Sequence, residues 1–276
     1  MKNIIFAEDK IRQEGMDKKE KEEFLRALKE HELSGIRSQL DYDKFAEYSI
    51  ISNSTAIEGS SITEEEVALL LEEGITVGGK SFYEHLMNHD LKEAYTLSRR
   101  LAERHVDFSL DMLRSLAAAV MKNTGTLYNT VLGSFDSSCG DFRLLNVTAG
   151  AGGRSYMSYD KIVPALERFC TGLNLERNRW LVGEHDIVEG YRVSFRAHYN
   201  LVTIHPWADG NGRTSRLVMN HLQREFGLMP VKVSRLRKAE YISSLVKTRE
   251  RGDITVFEDF MFREHLRNIR EELCCE

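Results

Sequence analysis

The amino-acid sequence predicts a mainly α-helical fold with one β-hairpin. Only three prolines occur in 276 residues, and apolar residues recur at steps of three and four over much of the chain. A single stretch combines β-forming residues with a loop of small residues, as a hairpin requires. A chain of this length buries a substantial core, in one large domain or two smaller ones.

Composition narrows the classes of function. The net charge is −5, from 38 Lys+Arg against 43 Asp+Glu, which argues against a partner nucleic acid held by bulk electrostatics. No apolar run approaches the roughly 20 residues of a membrane-spanning helix, and the N-terminal apolar run is too short for a signal peptide. The four cysteines lack the spacing of a zinc site or a disulfide scaffold. We therefore expect a cytoplasmic protein without a nucleic-acid or membrane partner.

Several segments read as helices in chain order. Residues 17–32 mix both charge signs, as on a solvated helix face, and Thr63 with Glu66 forms a capping box for a helix that Gly74 can end. Two apolar stripes predict core helices, one with Met87, Leu91, Ala94, Tyr95, Ser98 and Leu101 and one with Leu110, Leu113, Ala117 and Val120.

A further helix and the hairpin follow. Asp160 has the character of an N-cap, with Pro164 in the tolerated first turn. The buried face of this helix is predicted to hold Ile162, Val163, Leu166, Phe169 and Cys170. The hairpin is predicted just before it, in residues 142–159.

The stretch IHPWADGNGRTSR, residues 204–216, concentrates polar chemistry in thirteen positions. Pro206 disfavours the α region for His205, so we expect the preceding element to stop there on an extended backbone. Gly210, Asn211 and Gly212 supply the conformational freedom for an anion-binding nest. A helix then runs from Arg213, with stop signals at Gly227 and Pro230 and one apolar face of Val218, Met219, Leu222 and Phe226.

This loop and helix start suit a polyphosphate. A helix N-terminus carries unpaired N–H groups and a positive dipole, and Arg213 and Arg216 lie three residues apart beside it. Asp209 would repel such an anion unless a Mg²⁺ ion is shared between the carboxylate and the phosphate oxygens. His205, with a reference pKa of about 6.5, can accept a proton from an attacking hydroxyl.

HPWADGNGRTSR resembles the signature of the Fic family, with Trp207 in place of the usual Phe. The resemblance implies a Fic-type helical core and a protein adenylyltransferase that moves AMP from ATP to a Ser, Thr or Tyr hydroxyl of a target protein, itself included. Carried over by position, His205 is the catalytic base and Asp209 the metal ligand. The groups that bind the nucleotide phosphates are Gly210, Asn211, Gly212, Arg213 and Arg216.

The hairpin in residues 140–157 falls where this family carries its flap, an edge that aligns a target segment by strand addition. The flap residues expected to dock the target are Gly140, Phe142, Arg143 and Val147. Residues 190–207 resemble the helix that leads into the signature. In that helix Arg196 and His198 read as packed or surface residues rather than catalysts.

STAIEG, residues 54–59, resembles the inhibitory motif that some Fic proteins carry on a helix N-terminal to the core. Ser54, Glu58 and Gly59 are its regulatory positions. A carboxylate at a helix C-terminus opposes the helix dipole, so an arginine elsewhere would compensate it. If Glu58 pairs with Arg216, it occupies the donor fork meant for the terminal phosphate, and ATP binds only unproductively.

These resemblances suggest three segments: an N-terminal helical region with the inhibitory motif (1–80), a Fic core domain (81–235) and a C-terminal helical extension packed on the core (236–276). Other functions remain open at this point. They are removal of AMP, with Glu58 positioning a water, transfer of another phosphate-containing group, and nucleotide sensing without turnover. A homo-oligomer is compatible with each of them.

Overall fold

The computed structural model describes residues 16–39, 41–149, 153, 155–183 and 186–274. Within these ranges the chain forms ten α-helices and one two-stranded antiparallel sheet, so the predicted mainly helical fold with a hairpin is confirmed. The helices are α1 Lys18–Ser34, α2 Tyr42–Ile57, α3 Glu64–Glu73, α4 Phe82–Glu103, α5 Leu110–Val120, α6 Ile162–Val182, α7 Ile187–Ile204, α8 Asn211–Glu225, α9 Lys238–Arg251 and α10 Thr255–Leu273. The strands are β1 Leu127–Thr130 and β2 Gly133–Asp136.

The described residues fall into two compact units. Residues 81–229 form the first, called here the core unit, and residues 16–80 with 230–274 form the second, called the terminal unit. The segments before and after the core unit therefore share one cluster of packed helices. The three-part division expected from the sequence stays a prediction.

Capping and aromatic packing organise the terminal unit. The predicted box at Thr63 is present, because its side chain accepts from the Glu66 N–H and the Glu66 carboxylate accepts from the Thr63 N–H. α3 then ends at Gly74 with φ +68°, as its sequence indicates. α1 packs on α10, with the rings of Phe24 and Phe262 edge to face at 5.2 Å.

In the core unit, α8 packs against α4, α5 and α7, and α6 packs on the other side of α7. The two predicted apolar stripes are buried in α4 and α5 except for Leu101, which is half-buried. Leu217, Val218, Met219 and Leu222 of α8 are fully buried in the middle of this group. The N-terminus of α8 is thus held on a well-packed helix.

The start of α6 differs from the prediction. Asp160 is not the N-cap, because it lies in a 3-10 turn, Tyr159–Lys161, and α6 begins after Lys161. The Lys161 N–H donates to the Ser158 carbonyl at 3.0 Å, so a backbone bond of the turn leads into the helix without a side-chain cap. Val163, predicted on the buried face, is 42% exposed.

The regular hairpin lies earlier than expected, at β1 and β2, where Tyr128 and Phe135 stack at 4.9 Å. Its short strands contain Asn129, Gly133 and Ser134, residues with weak β preference, which is why the sequence did not reveal it. The predicted segment 142–159 forms one antiparallel bridge, Thr148 to Ser155, among its described residues. Residues 150–152 and 154 of its loop lie outside the described residues.

None of the described helices combines the length and the apolar character needed to cross a lipid bilayer.

Three buried histidines stay neutral in this fold. Burial lowers the pKa of His198 to about 3, with the charge of Arg216 as a second cause. Burial lowers the pKa of His221 on α8 to about 4, and that of His265 on α10 to about 3. In the unfolded chain these side chains take up protons below about pH 6.5, so unfolding becomes easier as the pH falls.

We expect the free energy of unfolding to fall between pH 7 and pH 5, by about 2 kcal/mol for each such histidine. His221→Gln should flatten this slope, because it removes one proton uptake on unfolding. Urea denaturation at several pH values measures it. His89→Gln, at an exposed position on α4, is the matched control, and an equal slope in His221→Gln and the control would contradict the prediction.

Candidate active site

The end of α7 sets the position of His205. Its N–H donates to the Leu201 carbonyl at 3.1 Å, and its backbone is left-handed, with φ 55° and ψ 59°. The extended backbone expected from Pro206 is therefore wrong. Pro206 excludes the right-handed helical region, and the left-handed conformation meets that restriction while also capping the helix. A left-handed histidine costs on the order of 1 kcal/mol, which the surrounding contacts offset.

The His205 imidazole is half-buried, and its Nδ1 lies 3.3 Å from the Val202 carbonyl oxygen. With the proton on Nδ1, this nitrogen donates to the carbonyl and the lone pair is on Nε2. That tautomer presents Nε2 as the basic nitrogen.

Asn211 and Trp207 close the loop after His205. The Asn211 carboxamide accepts from the Trp207 N–H at 3.1 Å and donates to the Trp207 carbonyl at 2.9 Å. Trp207 is 1% exposed, and its indole N–H donates to the Gly140 carbonyl at 3.1 Å. The Asn211 side chain thus braces the loop, so the group it can offer to a phosphate is its backbone N–H at the start of α8.

Gly210 is the glycine of the loop that requires special geometry. Its φ is +77°, and a Cβ there would lie 2.8 Å from the Met121 Sδ. Gly212 is already in the first turn of α8. Since the first intrahelical N–H bond comes from Thr214 to Gly210, the N–H groups of residues 211–213 precede the α8 ladder and form the anion-binding end.

Arg213 carries the most informative electrostatic feature. The residue is 2% exposed, yet its buried Nε and Nη1 have no hydrogen-bond acceptor among the described residues. Its Nη2 lies 3.1 Å from the Met121 Sδ and 3.7 Å from Asp209 Oδ1. A buried guanidinium with unsatisfied donors at a helix N-terminus fits an anionic ligand with several oxygens.

Arg216 and Asp209 complete the polar set. Arg216 is 2% exposed, and its charge helps to lower the pKa of the buried His198. The Asp209 side chain is 52% exposed, and its Oδ1 accepts from the Gly210 N–H at 2.6 Å. Within the described residues, no cluster of three or more His, Cys, Asp or Glu could hold a metal by itself. A cation at Asp209 would therefore need oxygens from the phosphate ligand.

The predicted flap residues do not all face outward. Arg143 is 1% exposed, and its guanidinium donates to the carbonyls of His205 at 2.8 Å, Leu145 at 2.5 Å and Met157 at 2.5 Å. Its own N–H donates to the Pro206 carbonyl at 3.0 Å. Arg143 consequently ties this segment to the signature loop, and its side chain is not on the surface where a target would dock.

The other flap positions are closer to the surface, apart from Gly140. A Cβ at Gly140 would collide with the Arg114 carbonyl, and its φ is +70°, so this glycine allows a close backbone approach. Phe142 is half-buried, with its ring 6.2 Å from that of Trp207. Val147 is half-buried and accepts a backbone bond from Tyr156 at 3.0 Å.

The structure adds two residues that sequence reasoning missed. The Tyr156 ring stacks on the His205 ring, and Met121 contacts both Gly210 and Arg213. Neither lies in a motif, and each is more than forty residues from its partners in sequence. No local pattern could have found them.

The inhibitory positions belong to the terminal unit, whereas Arg216 belongs to the core unit. Ser54 is 3% exposed in the last turns of α2. Glu58 is exposed and follows the last residue of α2, and Gly59 has φ +110°. Glu58 therefore lies at the C-terminal end of its helix, as the sequence indicates.

Comparison with known proteins places this site in a family. Residues 107–223 match the family model of the Fic/DOC family. The protein adenylyltransferase Fic of Drosophila melanogaster is 30% identical over 261 residues, covering 94% of this chain and 47% of that protein. The protein of the same name from Drosophila grimshawi is 31% identical over 260 residues, covering 94% and 48%. The chain spans about half the length of these curated relatives.

Solved structures share the fold. Fic-1 from C. elegans has a TM-score of 0.68 at 21% identity, covering 93% of this chain and 72% of that one. A Fic domain containing signaling protein from Bacteroides thetaiotaomicron has a TM-score of 0.70 at 18% identity, covering 93% and 94%. The chain belongs to the Fic/DOC family through the domain at residues 107–223. The Fic-type fold predicted from the signature is confirmed.

Proposed function

We propose that this protein is a protein adenylyltransferase, which transfers AMP from ATP to a hydroxyl side chain of a target protein. The observation that carries the proposal is the pairing of a positioned imidazole, His205, with a buried guanidinium, Arg213, whose donors lack a protein acceptor. The first arrangement suits a general base and the second suits a polyphosphate. The name of the Drosophila relatives, protein adenylyltransferase, supports the same reaction.

The residues divide the reaction between them. The N–H groups at the start of α8, with Arg213 and Arg216, bind the β- and γ-phosphates. The target hydroxyl oxygen attacks the α-phosphorus and gives its proton to His205 Nε2. The bond between the α-phosphorus and the bridging oxygen breaks, and pyrophosphate leaves with that electron pair. Donors already aimed at the phosphates stabilise the charge that develops.

Asp209 would hold Mg²⁺ together with phosphate oxygens. Its exposed carboxylate suits a cation that keeps water and substrate oxygens among its ligands, and the described residues offer no closed metal cage. When bound, the ion offsets the repulsion between Asp209 and the phosphates and withdraws electron density from the phosphoryl oxygens.

We assign target docking to the backbone edge and the half-buried side chains of the segment around Phe142 and Val147. An extended target segment could add to this edge and bring its Ser, Thr or Tyr hydroxyl to His205. Arg143 would serve this role indirectly, because it holds the segment against the signature loop.

With ATP labelled at the α-phosphate we expect label on protein, and with ATP labelled at the γ-phosphate we expect none. His205→Ala should abolish the labelling but leave ATP binding nearly unchanged, because the phosphates are held by α8 and the arginines. Excess chelator should suppress labelling if Mg²⁺ is shared with Asp209. Incorporation is read on gels and ATP affinity by calorimetry.

His89→Ala, at an exposed position on α4, is the matched control and should label like the parent. Transfer of γ-label would instead identify a kinase. Labelling by His205→Ala at the parent rate would remove the imidazole from the reaction.

We infer in addition that Glu58 inhibits the enzyme through Arg216. Glu58 lies at a helix C-terminus, where the dipole disfavours a carboxylate, and Arg216 is a buried cation of the signature. A two-pronged bond between them would use the donors meant for the γ-phosphate and leave ATP in an unproductive pose.

Glu58→Gly should raise AMP transfer, because Arg216 regains the γ-phosphate. The gain should depend on Arg216, so the double variant Glu58→Gly, Arg216→Ala should be nearly as inactive as Arg216→Ala alone. The rates of α-label incorporation by the four proteins measure this non-additivity. Glu73→Gly, at the exposed end of α3, controls for loss of a glutamate at a helix terminus. Equal rates for the parent and Glu58→Gly, with a competent target present, would refute the inhibition.

A further inference from the structure

An aromatic ring lies flat on the proposed catalytic base. The rings of Tyr156 and His205 have centroids 3.8 Å apart and planes 14° apart, a close stack. Tyr156 comes 49 positions before the histidine, outside the signature and outside every motif identified in the sequence. The contact is therefore a tertiary feature of this chain.

The two rings are held by a common set of backbone bonds. The Tyr156 N–H donates to the Val147 carbonyl at 3.0 Å. The carbonyl of the next residue, Met157, accepts from Arg143, which also donates to the His205 carbonyl at 2.8 Å. One buried guanidinium thus links the segment that carries the tyrosine to the segment that carries the histidine.

The geometry of the stack decides what Tyr156 can do. Proton transfer at an imidazole takes place in the plane of the ring, at the nitrogen lone pair, whereas the tyrosine covers a face of the ring. A phenol in a nearly parallel plane does not lie along that lone pair, so this arrangement does not make the Tyr156 hydroxyl the acceptor of AMP. The ring contact instead restricts rotation of the imidazole while leaving its edge accessible.

We propose that Tyr156 is a positioning residue for His205, whose ring fixes the imidazole plane so that Nε2 points toward the attacking hydroxyl. The role in turnover rests on the proposed AMP transfer, but the positioning of the ring does not. The aromatic ring is the effective part of the side chain, and the hydroxyl is dispensable. Because the phosphates are bound elsewhere, the loss of Tyr156 affects the chemical step rather than nucleotide binding.

The test compares Tyr156→Leu, which removes the ring, with Tyr156→Phe, which keeps it. Tyr159→Leu, three residues further along the same segment, is the matched control. The kcat of Tyr156→Leu should fall about tenfold or more, with the KM for ATP changed less than about twofold. Tyr156→Phe should restore kcat to near the parent value, which a loss of general packing would not explain.

A second readout needs no activity. In NMR spectra of the full chain without nucleotide, the His205 ring protons should show the upfield shift that a stacked aromatic ring produces. Tyr156→Leu should lose this shift, and Tyr156→Phe and Tyr159→Leu should keep it. Identical His205 signals in Tyr156→Leu and the parent overturn the proposal, and so does an unchanged kcat in Tyr156→Leu. If the shift follows the ring but the parent transfers no AMP, the positioning stands and the proposed function fails.

Discussion

The buried guanidinium of Arg213 is the constraint from which the rest of the site follows. Its Nε and Nη1 are removed from water without a hydrogen-bond acceptor among the described residues, and the nearest carboxylate, Asp209, is 3.7 Å from Nη2 and half exposed. Burying unsatisfied donors of a charged group costs several kcal/mol, so this arrangement is unfavourable until an anion arrives. The fold maintains it because the apolar face of α8 is packed against α4, α5 and α7.

Around this cation, polar side chains brace the backbone instead of contacting a ligand. Asn211 closes the loop on Trp207, Trp207 bonds to Gly140, and Arg143 bonds to His205 and Pro206. The N–H groups of α8 and the imidazole are thereby held in position before a substrate binds. Such preorganisation is what a reaction needs when catalysis consists mostly of positioning and charge stabilisation.

Sequence reasoning succeeded where the physics is local. The capping box at Thr63, the stripe along α4 and the stop after α7 each depend on neighbours within a few residues, and all three are present. It failed where distant contacts decide, as with the left-handed backbone of His205. The sequence placed Arg143 on a docking surface, whereas burial against carbonyls up to sixty-two positions away makes it a brace. The stack of Tyr156 on His205 has no local signature at all.

Thermal melting of Arg213→Met, with and without ATP, tests the central claim most directly. If Arg213 is an unsatisfied cation kept for phosphate, the variant without nucleotide should melt at or above the parent temperature, because an apolar side chain of similar length removes a buried charge. The parent should gain about 3 kcal/mol of stability at an ATP concentration one hundred times its Kd, and the variant should lose most of that gain at the same concentration. A variant that melts well below the parent yet is stabilised equally by ATP would contradict the account.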